Sequence, residues 1–236
     1  MKHQLIIRAS SIGAIMTEPR SKSEPISETA KKELEAMVLF EKYGIERDFS
    51  SMQTSKGIEL EPLAIEVCKN VLGWFDVPET KTRFINDYIT GEPDVNSQNV
   101  GADVKCSFSA DTFPWFEKEL KNKNYFYQMQ GYCWGTGKSE FELCYVLLTT
   151  PERMVMDLIN KEAWKMLPDP KFERYSQDEI FDIAERVIRS KHNFENIPIE
   201  KRVKRYIVKK DENVIDKIKE KIDYLTPIYN EMFNQI

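Results

Sequence analysis

Asp103, Val104 and Lys105 place a carboxylate and an ammonium two residues apart. On a β-strand, side chains alternate between faces, so Asp103 and Lys105 share one face and Val104 points into a core. Taken alone, that pair reads better as a surface ion pair, which is common and worth little. Asp94 changes the weighing. It lies nine residues upstream, in Gly91-Glu92-Pro93-Asp94-Val95. A hairpin between the two segments sets it beside Asp103. Two carboxylates held together repel unless a proton or a cation lies between them. A divalent metal is the natural resolution, although Gly-Glu-Pro-Asp is also ordinary turn chemistry. Glu61 is a third candidate, in Gly57-Ile58-Glu59-Leu60-Glu61-Pro62. Glu59 and Glu66 lie close by, and a solvated helix face accounts for all three equally. Gln128 and Tyr132 are four apart and share a helix face, while Phe126, Met129 and Cys133 mark a separate apolar one.

Composition narrows the metal. His3 and His192 are the only histidines, and none of the four cysteines lies within CxxC spacing of another. That argues against mixed Cys/His zinc ligation and against a disulfide frame. Carboxylate ligands favour magnesium, manganese or calcium. The net charge of −5 speaks weakly against a general nucleic-acid coat protein. It leaves room for a local basic track. Lys201, Arg202, Lys204, Arg205, Lys209 and Lys210 fall within ten residues that contain no acid. A solvated basic face explains that track as well as DNA contact does. No apolar run approaches the length of a membrane span, so no membrane contact and a cytoplasmic location are expected.

The elements that must position these residues follow from periodicity. Ser27 caps a helix bearing Ala30, Leu34, Met37 and Val38 on one face. A second helix is predicted from about Ser55 to Leu72, stopped by Gly73, with Pro62 marking a kink or a later start. Arg83 to Ile85 and Val100 to Cys106 read as strands between turns. Thr112–Leu120 and Asn124–Trp134 read as helices, with Gly135 as the stop. Leu143–Leu148 and Met154–Ile159 read as strands. Ser176 and Glu179 form a capping box for an amphipathic helix, and Val214 to Tyr229 continues at helical spacing. This order predicts an α/β or α+β chain with a central mixed sheet flanked by helices. We expect one domain over 1–236, with a core at about 55–160 and a helical segment at about 176–236.

The ordered motifs resemble the PD-(D/E)xK nuclease superfamily, and more closely the YqaJ-type viral recombinase group that includes lambda exonuclease. Gly57-xxx-Glu61-Pro62 comes first, then Gly91-x-Pro93-Asp94, then Asp103-x-Lys105, then Gln128-xxx-Tyr132. Asp-x-Lys alone is weak, whereas the ordered set of four is fairly specific. Asp103 stands where many relatives carry glutamate, which the superfamily pattern also accepts. The resemblance implies a restriction-endonuclease-like core and metal-dependent hydrolysis of DNA. It implies Mg2+, with Mn2+ as a substitute, held by Asp94, Asp103, Glu61 and the Val104 carbonyl. Lys105 then sits beside the attacking water, and Gln128 positions that water or the phosphate. Some nucleases with this core hold an iron–sulfur cluster on four flanking cysteines. Here all four lie in or near the core, and no cluster is expected.

The group's usual reaction is 5′-to-3′ digestion of one strand of linear duplex DNA. It leaves a 3′ overhang for a single-strand annealing protein. Some relatives form ring-shaped homotrimers. Ala9-Ser10 resembles the segment in which the family places a serine near the 5′ phosphate, and Arg8 and Ser10 are candidates for holding DNA. Tyr132, Lys201, Arg202, Lys204 and Arg205 complete the expected DNA contacts. The competing readings are a restriction-like or structure-specific endonuclease on the same core, and a non-catalytic DNA-binding protein.

Overall fold

Residues 4–21, 23–47 and 51–236 are described by the structure, a computed structural model. His3 lies outside them. Strand β1 (Ile7–Arg8) passes through one 3-10 turn into a short helix, α1 (Ile12–Ile15). The Ser27 side chain accepts the Ala30 amide and opens α2 (Glu28–Tyr43). Gly44 closes it in the left-handed region, at φ 67°, which a glycine adopts without steric cost. Helix α3 (Met52–Leu72) starts earlier than Ser55 because Ser51 caps it through the Thr54 amide. Pro62 sits inside it, and Gly73 ends it as expected.

Strands β2 (Phe84–Ile85), β3 (Ile89–Gly91), β4 (Val95–Asn96) and β5 (Gly101–Cys106) follow. Then come α4 (Lys123–Thr136), β6 (Glu140–Val146), α5 (Glu152–Met166), α6 (Gln177–His192), β7 (Val203–Lys209) and α7 (Glu212–Gln235). The strands form two mixed sheets rather than one. The first has the order β1-β3-β2 and the second β4-β5-β6-β7. Strands β5 and β6 are parallel, which demands a crossover, and α4 supplies it. The chain is thus an α+β fold with its sheets flanked by helices.

Strand alternation sorts the second sheet into two faces. Phe141, Leu143, Tyr206 and Val208 pack with Met129, Tyr132 and Cys133 of α4. Ala102, Val104, Cys144 and Val146 pack with Ala64 and Cys68 of α3. Val104 therefore points into a core, as its place in the triplet predicts.

Three elements differ from expectation. Residues 154–159 belong to α5, because Met154, Val155, Ile159 and Ala163 are buried at helical spacing. Three of them pack against Ile180, Ala184 and Ile188 of α6. A short apolar run does not by itself distinguish strand from buried helix. Only 110–112 form a 3-10 turn where a helix to Leu120 was expected. Phe113 is extended at φ −84° and ψ 132°, the conformation imposed on a residue before proline, here Pro114. Helix α4 runs through Gly135 and ends at Gly137. A Cβ on Gly135 would lie 2.0 Å from the Phe84 ring, so this glycine serves close packing rather than termination. No helix among the described residues is long and apolar enough to cross a membrane.

Candidate active site

The hairpin between β4 and β5 pairs Val95 with Ala102, which sets Asp94 opposite the next step of β5. Asp94 Oδ2 accepts the Val104 amide at 2.7 Å. Asp103 is only 2% exposed. Its Oδ1 accepts Gln128 Nε2 at 3.2 Å and the Tyr132 hydroxyl at 3.3 Å. Gln128 Nε2 also lies 2.9 Å from the Tyr132 oxygen. Both side chains come from one face of α4, as their spacing of four predicts, and both are buried. Lys105 Nζ stands 2.6 Å from Asp103 Oδ2, so strand alternation does bring the pair together. That contact lacks hydrogen-bond direction, and Oδ2 is buried without a directional partner.

Electrostatics follow from this crowding. Burial raises the Asp103 carboxyl above the usual range and the nearby Asp94 charge adds to it, while Lys105 pulls the other way. Burial by itself would lower the Lys105 ammonium. The Asp103 charge and contact outweigh that, and Lys105 ends well above its ordinary value. Burial also pushes the Tyr132 phenol far upward, with Asp103 adding to the effect. Lys105 further lies over the Tyr125 ring at 5.4 Å from its centroid.

Glu61 reaches the site from α3 through a residue that the motifs do not contain. Lys81 Nζ lies 2.5 Å from Glu61 Oε1 and 2.6 Å from Asp94 Oδ1. Burial opposes the Lys81 charge, but its bonds to Asp94 and Glu61 raise the ammonium overall. A cleft of about 550 Å³ runs along this side, lined by Glu61, Val104, Lys105, Phe108, Tyr125 and Tyr145. Lys56 lies beneath the Ser107–Phe108 backbone that lines it. It is fully buried, and Nζ donates to the Ser107 and Phe108 carbonyls at 3.0 and 2.9 Å. Neither Lys56 nor Lys81 carried a signal in the sequence, because each meets its partners only through tertiary contacts.

The DNA-contact candidates separate. Arg8 and Ser10 line a recess of about 240 Å³ with Arg83, Thr90 and Glu92. Tyr132 forms part of the same wall, but it is buried and its hydroxyl faces Asp103 and Gln128. We therefore place it as a support of Asp103 rather than a DNA contact. The basic track is not one surface. Lys105, Tyr145 and Lys204 are in register across three strands and share a face. Arg205 is in register with Cys144 and Val104, on the α3 face, and pairs with Glu142 at 3.6 Å. Lys201 and Arg202 precede β7 in a 3-10 turn.

Whether a divalent ion suits these residues is decided by their chemistry. Among the described residues no three His, Cys, Asp or Glu side chains are gathered closely enough to hold an ion as they stand. Two lysine ammoniums lie against the carboxylates instead. The donors are hard oxygens, one of them buried without a directional partner, and cations already sit against them. Hard oxygen donors of this kind fit a hard divalent cation.

Solved structures resemble the chain over nearly its whole length. The phage-related exonuclease from Haemophilus somnus 129PT aligns over 99% of this chain and 97% of its own, with a TM-score of 0.74 and 27% identity. This chain is a structural neighbour of the phage-related exonucleases. The alkaline exonuclease from Laribacter hongkongensis aligns over 96% of this chain and 89% of its own, with a TM-score of 0.61 and 14% identity. Its complex with dAMP aligns equally far, with a TM-score of 0.60. The resemblance to the lambda-exonuclease-like group, drawn from four short motifs, thus holds for the fold as a whole. No family model and no curated protein matches the sequence.

Proposed function

We propose that this chain is a metal-dependent exonuclease that hydrolyses the phosphodiester bonds of linear duplex DNA, in the 5′-to-3′ direction. The observation that carries the proposal is the buried Asp103, flanked by Lys105, Gln128 and Tyr132 and facing Asp94. The full-length likeness to a phage-related exonuclease supports it.

Asp94, Asp103 and the Val104 carbonyl would hold Mg2+, or Mn2+ in its place, and Glu61 would complete the site. When bound, such an ion neutralises phosphate charge and makes a water nucleophilic near neutral pH. The protein's own groups do the rest. Lys105 is held protonated by Asp103, so at neutral pH it is a donor and a fixed positive charge rather than a base. It can orient a water and offset charge that develops on the phosphate oxygens. Gln128 and Tyr132 would fix the rotamer of Asp103 through Oδ1, which leaves Oδ2 against the Lys105 ammonium. Arg8 and Ser10 would meet a strand end in the recess that they line. Lys204 lies two strands from Lys105 on the same face, about 10 Å away at ordinary strand spacing, where a phosphate further along the strand would pass.

The test compares linear with covalently closed circular duplex DNA, with Mg2+ and with EDTA. Mg2+-dependent loss of linear DNA alone is expected, faster for a 5′-phosphorylated end. Cutting of closed circles would replace the proposal with an endonuclease on the same core.

A further inference from the structure

Lys81 is the charged residue at the site that the four motifs leave unexplained. Its ammonium touches Glu61 Oε1 and Asp94 Oδ1, carboxylates brought together from α3 and from the residue before β4. A divalent ion held by the same pair must take those oxygens from it. Asp94 cannot serve both by rotating, because its other oxygen is committed to the Val104 amide. The exposures point to which partner yields. The Asp94 side chain is 9% exposed, whereas those of Lys81 and Glu61 are 32% and 35% exposed. Lys81 also sits in residues 74–83, which form neither helix nor strand, while Lys105 is fixed on β5. The ammonium of Lys81 has a short path to solvent, and that of Lys105 is anchored on the strand that carries Asp103.

We propose that Lys81 is an internal counter-cation of the metal site, which neutralises Glu61 and Asp94 and competes with the divalent ion for them. It thereby sets the metal concentration at which the site fills. The inference rests on the metal assignment made under the proposed function. It differs from an assisting role, in which a nearby lysine would leave metal affinity unchanged or support it through the substrate.

The test needs no DNA. Mn2+ is titrated into the full chain by calorimetry, and thermal unfolding is followed in EDTA and at saturating Mn2+. Lys81→Met removes the competitor and leaves two carboxylates facing each other. We expect it to bind Mn2+ roughly three- to tenfold more tightly than wild type, the scale set by a half-exposed ion pair. It should melt lower than wild type in EDTA and gain more from saturating Mn2+. Lys81→Gln, which keeps a hydrogen-bond donor without the charge, should also bind more tightly and guards against misfolding of the first variant. If wild type binds Mn2+ and neither variant binds it more tightly, Lys81 is no competitor and the inference is overturned. If wild type binds no Mn2+, the metal assignment fails first and the inference falls with it.

Discussion

Burial of Lys56 gives the account a quantitative handle. The side chain is fully buried beside the Phe194 ring, and its ammonium is satisfied by only two carbonyls. Burial lowers its pKa from 10.5 to about 8, with Cys106 opposing slightly. That drop amounts to a penalty on the charged form on the order of 3 kcal/mol. Below pH 8 both folded and unfolded chains hold the proton, and the fold bears the full penalty. Between about pH 8 and 10.5 the unfolded chain binds a proton that the folded chain has released, so this residue makes stability rise with pH. The rise from pH 7 to 9.5 is roughly 2 kcal/mol.

Lys56→Met removes the rise and leaves the Ser107 and Phe108 carbonyls without this donor, at about 1–3 kcal/mol each. At pH 7 the relieved penalty offsets much of that loss. At pH 9.5 it no longer does. Urea unfolding of both proteins at the two pH values measures the difference. The gap between variant and wild type should widen by roughly 2 kcal/mol at the higher pH. Cys106 acts in the opposite sense: burial raises its thiol above 9.0, against the pull of Lys56, so its own contribution to stability falls as pH rises past that value in both proteins. A gap that stays constant with pH would refute the reasoning.

Other expectations are as direct. Gln128→Leu should cut nuclease activity by roughly ten- to a hundredfold, since it frees the Asp103 rotamer, and should cost about 1–3 kcal/mol in urea unfolding through the lost buried donor. Gly135→Ala should destabilise the fold by about 1–3 kcal/mol in urea unfolding, because the added methyl meets the Phe84 ring. Lys204→Ala should weaken binding to duplex DNA and lower its salt slope by about one, whereas Arg205→Ala, on the other face of the sheet, should do neither.

Much of the fold and part of the site were legible in the sequence, and physical reasons separate what was from what was not. The alternation of Asp103, Val104 and Lys105 needs only strand geometry, and the structure agrees with it. Ser27, Ser176 and Glu179 announce helix starts through local hydrogen bonds, which a neighbouring element seldom overrides. Residues 154–159 misled because six apolar-rich residues fit either period, and only α6 decides between them. Gly135 misled because a glycine that admits an aromatic ring looks in sequence like one that ends a helix. The basic track read as one surface because a charge count ignores the pleat, which sends Lys204 and Arg205 to opposite faces. Lys56 and Lys81 were invisible, since their meaning depends on residues brought near by folding.

The central claim is that Asp94, Asp103 and Lys105 together hydrolyse DNA. Its most direct test is the release of acid-soluble nucleotides from 5′-phosphorylated linear duplex with Mg2+, by wild type and by Lys105→Ala. The expected result is release by wild type, none in EDTA, and a loss on the order of a hundredfold or more in the variant at unchanged DNA affinity. Equal rates for the two proteins would contradict it.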